Sequence, residues 1–248
     1  MIRLFPQPTE APSEAVVEPR AEVAAEVRES SGDRPWVYTN MIASADGGTA
    51  IDGQSGQLGG PGDKAMFSAL RAVADVIIVG ASTVREERYR PPSPPPEVVE
   101  ERLDRGQAAR PRLAVVTRSL SLDLDLPLFD DSTNRPYVLT VESAPADQLE
   151  RLRAVAEVVI AGRDDVDLRR GLEQLRRQGA ATALSEGGPS LNGQLIADDL
   201  IDEWNLSLSP TLLGADSRRA AIGPVDGGPP RGMRLARVWA DDDYLFCR

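Results

Sequence analysis

The sequence predicts an α/β fold: a central mixed, mostly parallel sheet flanked by helices, with antiparallel strands at the C-terminus. Three observations predict it. Short continuous apolar runs such as "DVIIVG" (75–80), "RLAVVT" (112–117) and "EVVIAG" (157–162) have strand length and no polar alternation, as strands covered on both faces require. Segments of helical period alternate with those runs. The chain then ends in "MRLARVWADDDYLFCR", which reads as two strands joined by an acidic turn.

Taken in order, residues 1–33 are rich in Pro, Ala and Glu and read as a largely flexible acidic arm. Leu4 and Phe5 are its docking points, and "AEVAAEVRE" has helical character. The arm lacks the basic start and unbroken apolar stretch of a signal peptide. The remaining residues, 34–248, form one folded domain. It opens with an apolar strand from Trp36 to Ala43, running into the small, polar "SADGG". A helix follows in "PGDKAMFSALRAVA": Pro61 suits its first position, and Met66, Phe67, Leu70, Val73 and Ala74 repeat at helical spacing. "ASTVREERYR" begins as a turn or short helix after the strand at 75–80, and "PPSPPP" makes a stiff loop.

Strands at 112–117 and 137–141 flank a polar, proline-containing connection. "PADQLERLRAVA" is helical, and "DVDLRRGLEQLRRQG" is an amphipathic helix with Leu168, Leu172 and Leu175 on one face and Gly179 at its C-terminal stop. "ATALS" leads through two glycines into a helix from Pro189 to about Ala197. "DEWNLSLSP" alternates with period two, placing Trp204, Leu206 and Leu208 on one side and Asn205, Ser207 and Ser209 on the other.

Composition narrows the chemistry. The net charge of −11 argues against nucleic acid or an anionic membrane as a general partner. No apolar run approaches the ~20 residues of a membrane span. The single cysteine, Cys247, permits no intrachain disulfide and fits a reducing cytoplasm. With no histidine, a His-based triad or a His/Cys zinc site is excluded, so no metal is expected. Acid–base work falls to Asp, Glu, Lys, Tyr or water, and a reactive group brought by a cofactor, such as a nicotinamide hydride, suits this inventory.

Two glycine turns sit where ligands bind in such sheets, at strand ends and helix starts: "VGAST" after 75–80 and "SEGGPS" after 181–185. Glycines admit a phosphate close to backbone N–H groups, and a helix start adds partial positive charge. An ordinary tight turn explains either one alone equally well. Neither turn matches the dinucleotide or phosphate-loop fingerprint. Spacing and composition therefore reach an α/β domain that binds a phosphorylated small molecule.

"NMIASADGG", "ALRAVADVIIVGASTV", "ALSEGGPSLNGQLI" and "DEWNLSLSPTLLG", in that order, resemble the pyrimidine reductases of riboflavin biosynthesis, the reductase half of the bifunctional deaminase/reductases. The resemblance runs from about residue 35 to the C-terminus. It implies a dihydrofolate reductase-like fold, NADPH as cofactor, a homodimer through the C-terminal strands, and reduction of a phosphorylated ribosylamino-pyrimidine to its ribitylamino product. It places Ile42, Ala43, Gly80, Thr83, Glu87, Thr117, Gly187, Gly188, Pro189 and Ser190 at the cofactor, with Thr117, Arg118 and Ser119 near the 2′-phosphate. Asn40, Ser44, Ser55, Arg71, Tyr89 and Arg90 fall at the substrate, and Asp46 and Glu186 are the candidates for handling the proton. Many family members carry Lys where Asn40 stands. The rival readings are a reductase of a pterin such as dihydrofolate, with Asp46 holding the ring, and a non-catalytic nucleotide-binding protein.

Several of these residues have a plain structural reading as well. Arg71 near a helix C-terminus offsets the dipole, Asp46 before two glycines forms a turn, and Glu186 strengthens a helix start. Arg85 and Arg88 read as a solvated charged face, and Trp204 as core or interface. Cys247 receives no chemistry.

Overall fold

The first apolar run breaks at Asn40. In the computed structural model, which describes residues 1–6, 16–30, 32–214, 217–223 and 229–248, this stretch is two strands rather than one: β2 (Trp36–Thr39) and β3 (Met41–Ser44). The reason is a change of hydrogen-bond partner. The Asn40 N–H donates to the Ser185 carbonyl at 3.0 Å, and the next N–H, of Met41, donates to the Asn205 carbonyl at 3.1 Å. The chain thereby passes from one sheet to another beside the strand ends.

The larger sheet is wholly parallel. Its six strands run in the order β2, β8 (Thr182–Ser185), β4 (Val76–Gly80), β5 (Arg112–Val116), β6 (Tyr137–Thr140) and β7 (Glu157–Ile160); the inner strands are mostly buried, as their unbroken apolar runs require, whereas the edge strand β7 buries only Val159. The helices joining them include α2 (Pro61–Ala72), the short α3 (Ala81–Glu86), α5 (Ala146–Arg153), α6 (Leu168–Arg177) and α7 (Pro189–Ala197). Gly179, at φ +100°, follows α6 as expected. Pro96–Asp104 forms α4, a helix that the proline run concealed. Its fully buried Arg102 donates to the Ala72 and Ala74 carbonyls at 2.9 and 2.7 Å, fastening α4 to the end of α2.

The second sheet has five strands in the order β1 (Ile2–Phe5), β10 (Val238–Asp241), β11 (Tyr244–Cys247), β9 (Leu206–Ser209) and β3; all neighbours are antiparallel except β9 and β3. Two expectations change here. The N-terminal segment is fastened to the domain at β1, α1 (Pro19–Ala24) and Arg28, while Leu4 and Phe5, the expected docking points, are 45% and 43% exposed. β1 pairs with β10, and α1 packs on α2. Arg28 forms a 2.9 Å ion pair with Glu203, both side chains almost wholly buried. An arm over 7–15 and at 31 lies outside the described residues.

The alternating strand β9 also turns the unexpected way. Its buried face is the polar one, with Asn205, Ser207 and Ser209, while Trp204, Leu206 and Leu208 are half-exposed. The buried polar groups are satisfied internally: Asn205 Nδ2 donates to the Thr39 carbonyl and to Glu203 Oε1, both at 2.9 Å. Among the described residues no helix is long and apolar enough to cross a membrane.

Candidate functional site

β4 and β8 end side by side, and their glycines make the floor of the site. The Gly80 N–H donates to the Gly187 carbonyl at 2.8 Å, and Gly188 caps α7 with Pro189 at its first position. Gly187 has φ +81°, where a side chain would be strained, and a Cβ on Gly188 would lie 2.7 Å from Thr83 Oγ1. Glycine at these positions leaves the start of α7 uncovered by side chains, while the Gly187 N–H itself donates to Ser185 Oγ at 3.3 Å. Asn192, one turn into α7, ties this turn to its surroundings: its Oδ1 accepts from Ser185 Oγ at 2.9 Å and its Nδ2 donates to the Ala220 carbonyl at 2.9 Å. Ile222 N–H donates to the Pro189 carbonyl at 2.9 Å, so residues 217–223 run as a strap across the start of α7.

Above this floor opens a cavity of about 600 Å³, within the range of small-molecule sites. Of the residues singled out from the sequence, Asn40, Ile42, Ser55, Arg71, Thr83, Glu87, Tyr89, Arg90, Glu186, Gly187, Gly188 and Pro189 line it. Six cations line the cavity against four carboxylates, so a chain of net charge −11 carries a positively biased pocket. That bias suits a phosphorylated ligand.

The centre of the site is a buried cluster. Arg71 donates from Nε to Glu186 Oε1 and from Nη2 to Glu186 Oε2, both at 2.6 Å, and the Tyr89 hydroxyl donates to Glu186 Oε2 at 2.6 Å. The Arg71 guanidinium also lies over the Phe67 ring, 4.2 Å from its centroid. Desolvation acts to lower the Arg71 pKa, and the Glu186 charge and hydrogen bonds outweigh it, so the net movement is upward. Burial, followed by the neighbouring Glu186 carboxylate, holds the Tyr89 phenol well above its ordinary range. Glu186 thus fixes a permanent cation and a protonated phenol at one wall of the cavity.

Eight expected residues do not line the cavity: Ala43, Ser44, Asp46, Gly80, Thr117, Arg118, Ser119 and Ser190. Gly80 lies beneath the floor. Ala43 and Ser44 are buried in β3. The exposed Asp46 carboxylate accepts from Ser44 Oγ at 2.5 Å and from the Leu213 and Gly214 N–H groups at 3.1 and 2.7 Å. Its pKa falls to about 2, through the Ser44 hydroxyl first and then those amides. Such a carboxylate holds a turn and keeps no proton to give near neutrality. Of the two carboxylates named for the proton, the structure brings only Glu186 to the cavity. Arg118, exposed past the end of β5, pairs with Asp165 at 2.8 Å.

Other residues enter unannounced. Arg88, expected on a solvated face, lines the cavity from a backbone at φ +49°, whereas Arg85 does stay outside, donating to the Ser121 carbonyl at 2.6 Å. Asp63, Lys64 and Phe67 reach the cavity from α2, and Arg218 and Arg219 from the strap. The spacing of Asp63, Phe67 and Arg71, four residues apart each time, was a readable signal of one helix face. No local pattern marks Arg218 and Arg219.

A family model described as the RibD C-terminal domain matches residues 35–245. The chain belongs to that family. Among relatives of this RibD C-terminal domain chain, the 2,5-diamino-6-ribosylamino-4(3H)-pyrimidinone 5′-phosphate reductase of Methanothermobacter thermautotrophicus is 30% identical over 190 residues, covering 76% of this chain and 84% of that protein. The enzyme of the same name from Archaeoglobus fulgidus is 30% identical over 182 residues, covering 73% and 83%. The crystal structure of a pyrimidine reductase-like protein from Corynebacterium diphtheriae matches with a TM-score of 0.82 at 24% identity, covering 93% of this chain and 97% of that one. The fold is therefore the dihydrofolate reductase-like one that the resemblance implied.

Proposed function

We propose that this RibD C-terminal domain chain is an oxidoreductase that reduces the ribosylamino group of a phosphoribosylamino-pyrimidine, with NADPH as reductant. The observation that carries this reading is the meeting, in one positively biased cavity, of the Gly187–Gly188 turn with the Arg71–Glu186–Tyr89 cluster. The names of the two archaeal relatives support the substrate class.

The side-chain-free backbone at Gly187 and Gly188 fits a diphosphate, and Thr83 adds a hydroxyl beside it. The reduced nicotinamide supplies a hydride when bound. Neighbouring strands stand ~4.8 Å apart, so a dinucleotide laid from the end of β8 past Gly80 comes to Thr117 and Arg118 at the end of β5. Those residues take the 2′-phosphate in this reading. Arg71, Arg90 and the other cations of the cavity hold the substrate phosphate, while Asn40 and Ser55 make polar contacts with the sugar or ring. Glu186 holds the protonated Tyr89 hydroxyl in place, and together they manage the proton as the opened sugar is reduced at C1.

A homodimer belongs to the same proposal. Ile2, Ala240, Leu245, Leu208 and Ala43 stand in register across all five strands of the second sheet, forming an apolar row. Ile2 and Leu245 are 47% and 38% exposed. A second copy covers that row, and light scattering that finds only monomer refutes the pairing.

Absorbance at 340 nm tests the activity. Purified protein with NADPH should turn over the phosphorylated pyrimidine and lose most of its efficiency with the dephosphorylated form. Turnover of dihydrofolate alone, or cofactor binding without turnover of either substrate, would overturn the assignment.

A further inference from the structure

Glu203 is a buried carboxylate outside the cavity, and the two cations that meet it, Arg28 and Arg248, both lie outside residues 35–245, the span of the family match. Arg28, in the N-terminal segment, donates from Nη2 to Glu203 Oε1 at 2.9 Å and from Nε to Oε2 at 3.1 Å. The two side chains are 4% and 3% exposed. Arg248, after β11, donates from Nη2 to Oε2 at 3.1 Å. Glu26 holds Arg248 in turn at 2.6 Å and pairs with Arg237 at 2.9 Å. The Arg28 guanidinium is fixed on two further sides: Nη1 donates to the Val23 carbonyl at 2.8 Å, and the centroid of the Tyr38 ring lies 5.0 Å away.

This hub reaches the cavity through one side chain. Glu203 Oε1 accepts from Asn205 Nδ2 at 2.9 Å, and the same Nδ2 donates to the Thr39 carbonyl at 2.9 Å, which uses both of its N–H groups. The Asn205 N–H donates to Thr39 Oγ1 at 3.1 Å, the Asn205 carbonyl accepts from the Met41 N–H at 3.1 Å, and the Glu203 carbonyl accepts from the Thr39 N–H at 3.0 Å. Residues 203 and 205 thus clasp the chain on both sides of Asn40, where it changes sheet and where Asn40, Met41 and Ile42 line the cavity. We propose that Arg28 is a positioning residue for the reductase site: by pairing with Glu203 it orients Asn205, and through Asn205 it sets the Thr39–Met41 junction. This rests on the reading that the cavity carries out the reduction. A tether for the N-terminal segment needs no such chain, because β1 and α1 already fasten it. Burial acts to raise the Glu203 pKa, and Arg28 and then Arg248 outweigh it, so the net movement is downward. Tyr38, facing it from β2, is itself raised and stays neutral, and Asp202 is turned to Arg34 at 2.6 Å. Without Arg28, burial is opposed by Arg248 alone and the carboxyl takes up a proton more readily. A protonated oxygen donates where it had accepted, so Asn205 or Arg248 loses a partner.

Three variants test this: Arg28→Met, Arg28→Lys, and Arg28→Met combined with Glu203→Gln. Misplacement by about 1 Å costs up to roughly 100-fold in rate, so Arg28→Met should lower kcat/KM for the phosphorylated pyrimidine by about 10- to 100-fold. The Kd for NADPH should stay within about twofold, as for a distant independent site. The ratio of variant to wild-type kcat/KM should fall further as pH drops from about 8 to 6, where a buried carboxyl short of counter-charge titrates. The double variant, with no carboxyl to titrate, should lose that pH dependence. A lower melting temperature with wild-type kcat/KM and pH profile shows a structural role and overturns the inference. So does NADPH affinity lost in proportion to kcat/KM, or pH dependence that persists in the double variant. If Arg28→Met does not fold, Arg28→Lys decides in its place. Its ammonium keeps the charge but cannot span both carboxylate oxygens, so reduced kcat/KM at unchanged NADPH Kd supports the assignment and wild-type kcat/KM rejects it. Hydrogen exchange needs no substrate: in whichever variant folds, peptides over 36–44 should exchange faster than in the wild type and those over 76–80 no faster. An even change across both rejects the positioning role. A wild type without activity overturns the proposed function, and hydrogen exchange then decides this inference on its own.

Discussion

Arg71 and Glu186, 115 positions apart in the chain, meet in a bidentate ion pair with both N–O distances at 2.6 Å. The Glu186 side chain is 3% exposed and that of Arg71 26%. A helix face and a strand end are thus locked together at the wall of the cavity, and the pairing sets the geometry of Tyr89 as well.

Removing the cation leaves Glu186 buried without a counter-charge. Loss of one partner of a buried pair costs about 3–5 kcal/mol, so Arg71→Ala should destabilise the fold by roughly 3 kcal/mol in urea denaturation and should also lower kcat/KM. Arg71→Lys should recover less than half of the stability, because an ammonium cannot make the paired contact. A change below about 1 kcal/mol, the range of an exposed pair, would show that the pair is open to solvent.

Tyr38 and Tyr89 should stay protonated for as long as the protein is folded. Tyr38 is fully buried with its hydroxyl donating to the Leu70 carbonyl at 2.9 Å, and burial raises both phenols, Tyr89 under the added influence of Glu186. An acid whose folded pKa lies above its unfolded value keeps its proton in the native state. Stability is therefore full below about pH 10 and declines as pH rises beyond it. Absorbance at 295 nm should show these two of the four tyrosines ionising only with unfolding. All four titrating with native circular dichroism retained would contradict the burial.

Asp46 should prove structural. Its pKa of about 2 lies below the usual carboxylate range, so its contribution to stability is complete above about pH 4 and is lost as pH falls toward 2. Asp46→Asn should lower the melting temperature at pH 7 and flatten the fall in stability between pH 4 and 2, with kcat close to wild type. A loss of 10²-fold or more in kcat, the size expected for a missing general acid, with stability unchanged, would return Asp46 to the chemistry.

The parallel sheet was legible because buried strands announce themselves as continuous apolar runs, and Val76–Gly80 and Thr182–Ser185 lie within a residue or two of the runs that predict them. The Gly187–Gly188 turn and Glu186 were legible for the same local reason. Non-local relations were not. Nothing near Asn40 marks a change of sheet, since it follows from which carbonyl meets the Met41 N–H. The polar side of β9 looks solvent-facing until Thr39 and Glu203 are seen to satisfy Asn205. Asp46 reads equally as turn or acid until Leu213 and Gly214 are found on its carboxylate. Arg218 and Arg219 reach the cavity only because the strap is tied across α7 by Asn192 and Pro189.

The most direct test of the central claim is an equilibrium titration of the purified protein with NADPH, followed by quenching of tryptophan fluorescence, in parallel with Gly188→Ala. Saturable binding at roughly 1–100 μM, within the ordinary range of enzyme ligands, is predicted for the wild type. It should be weakened at least about tenfold in the variant, whose new methyl lies 2.7 Å from Thr83 Oγ1 and costs on the order of 1–3 kcal/mol. No saturation at millimolar NADPH, or identical binding by both proteins, would contradict it.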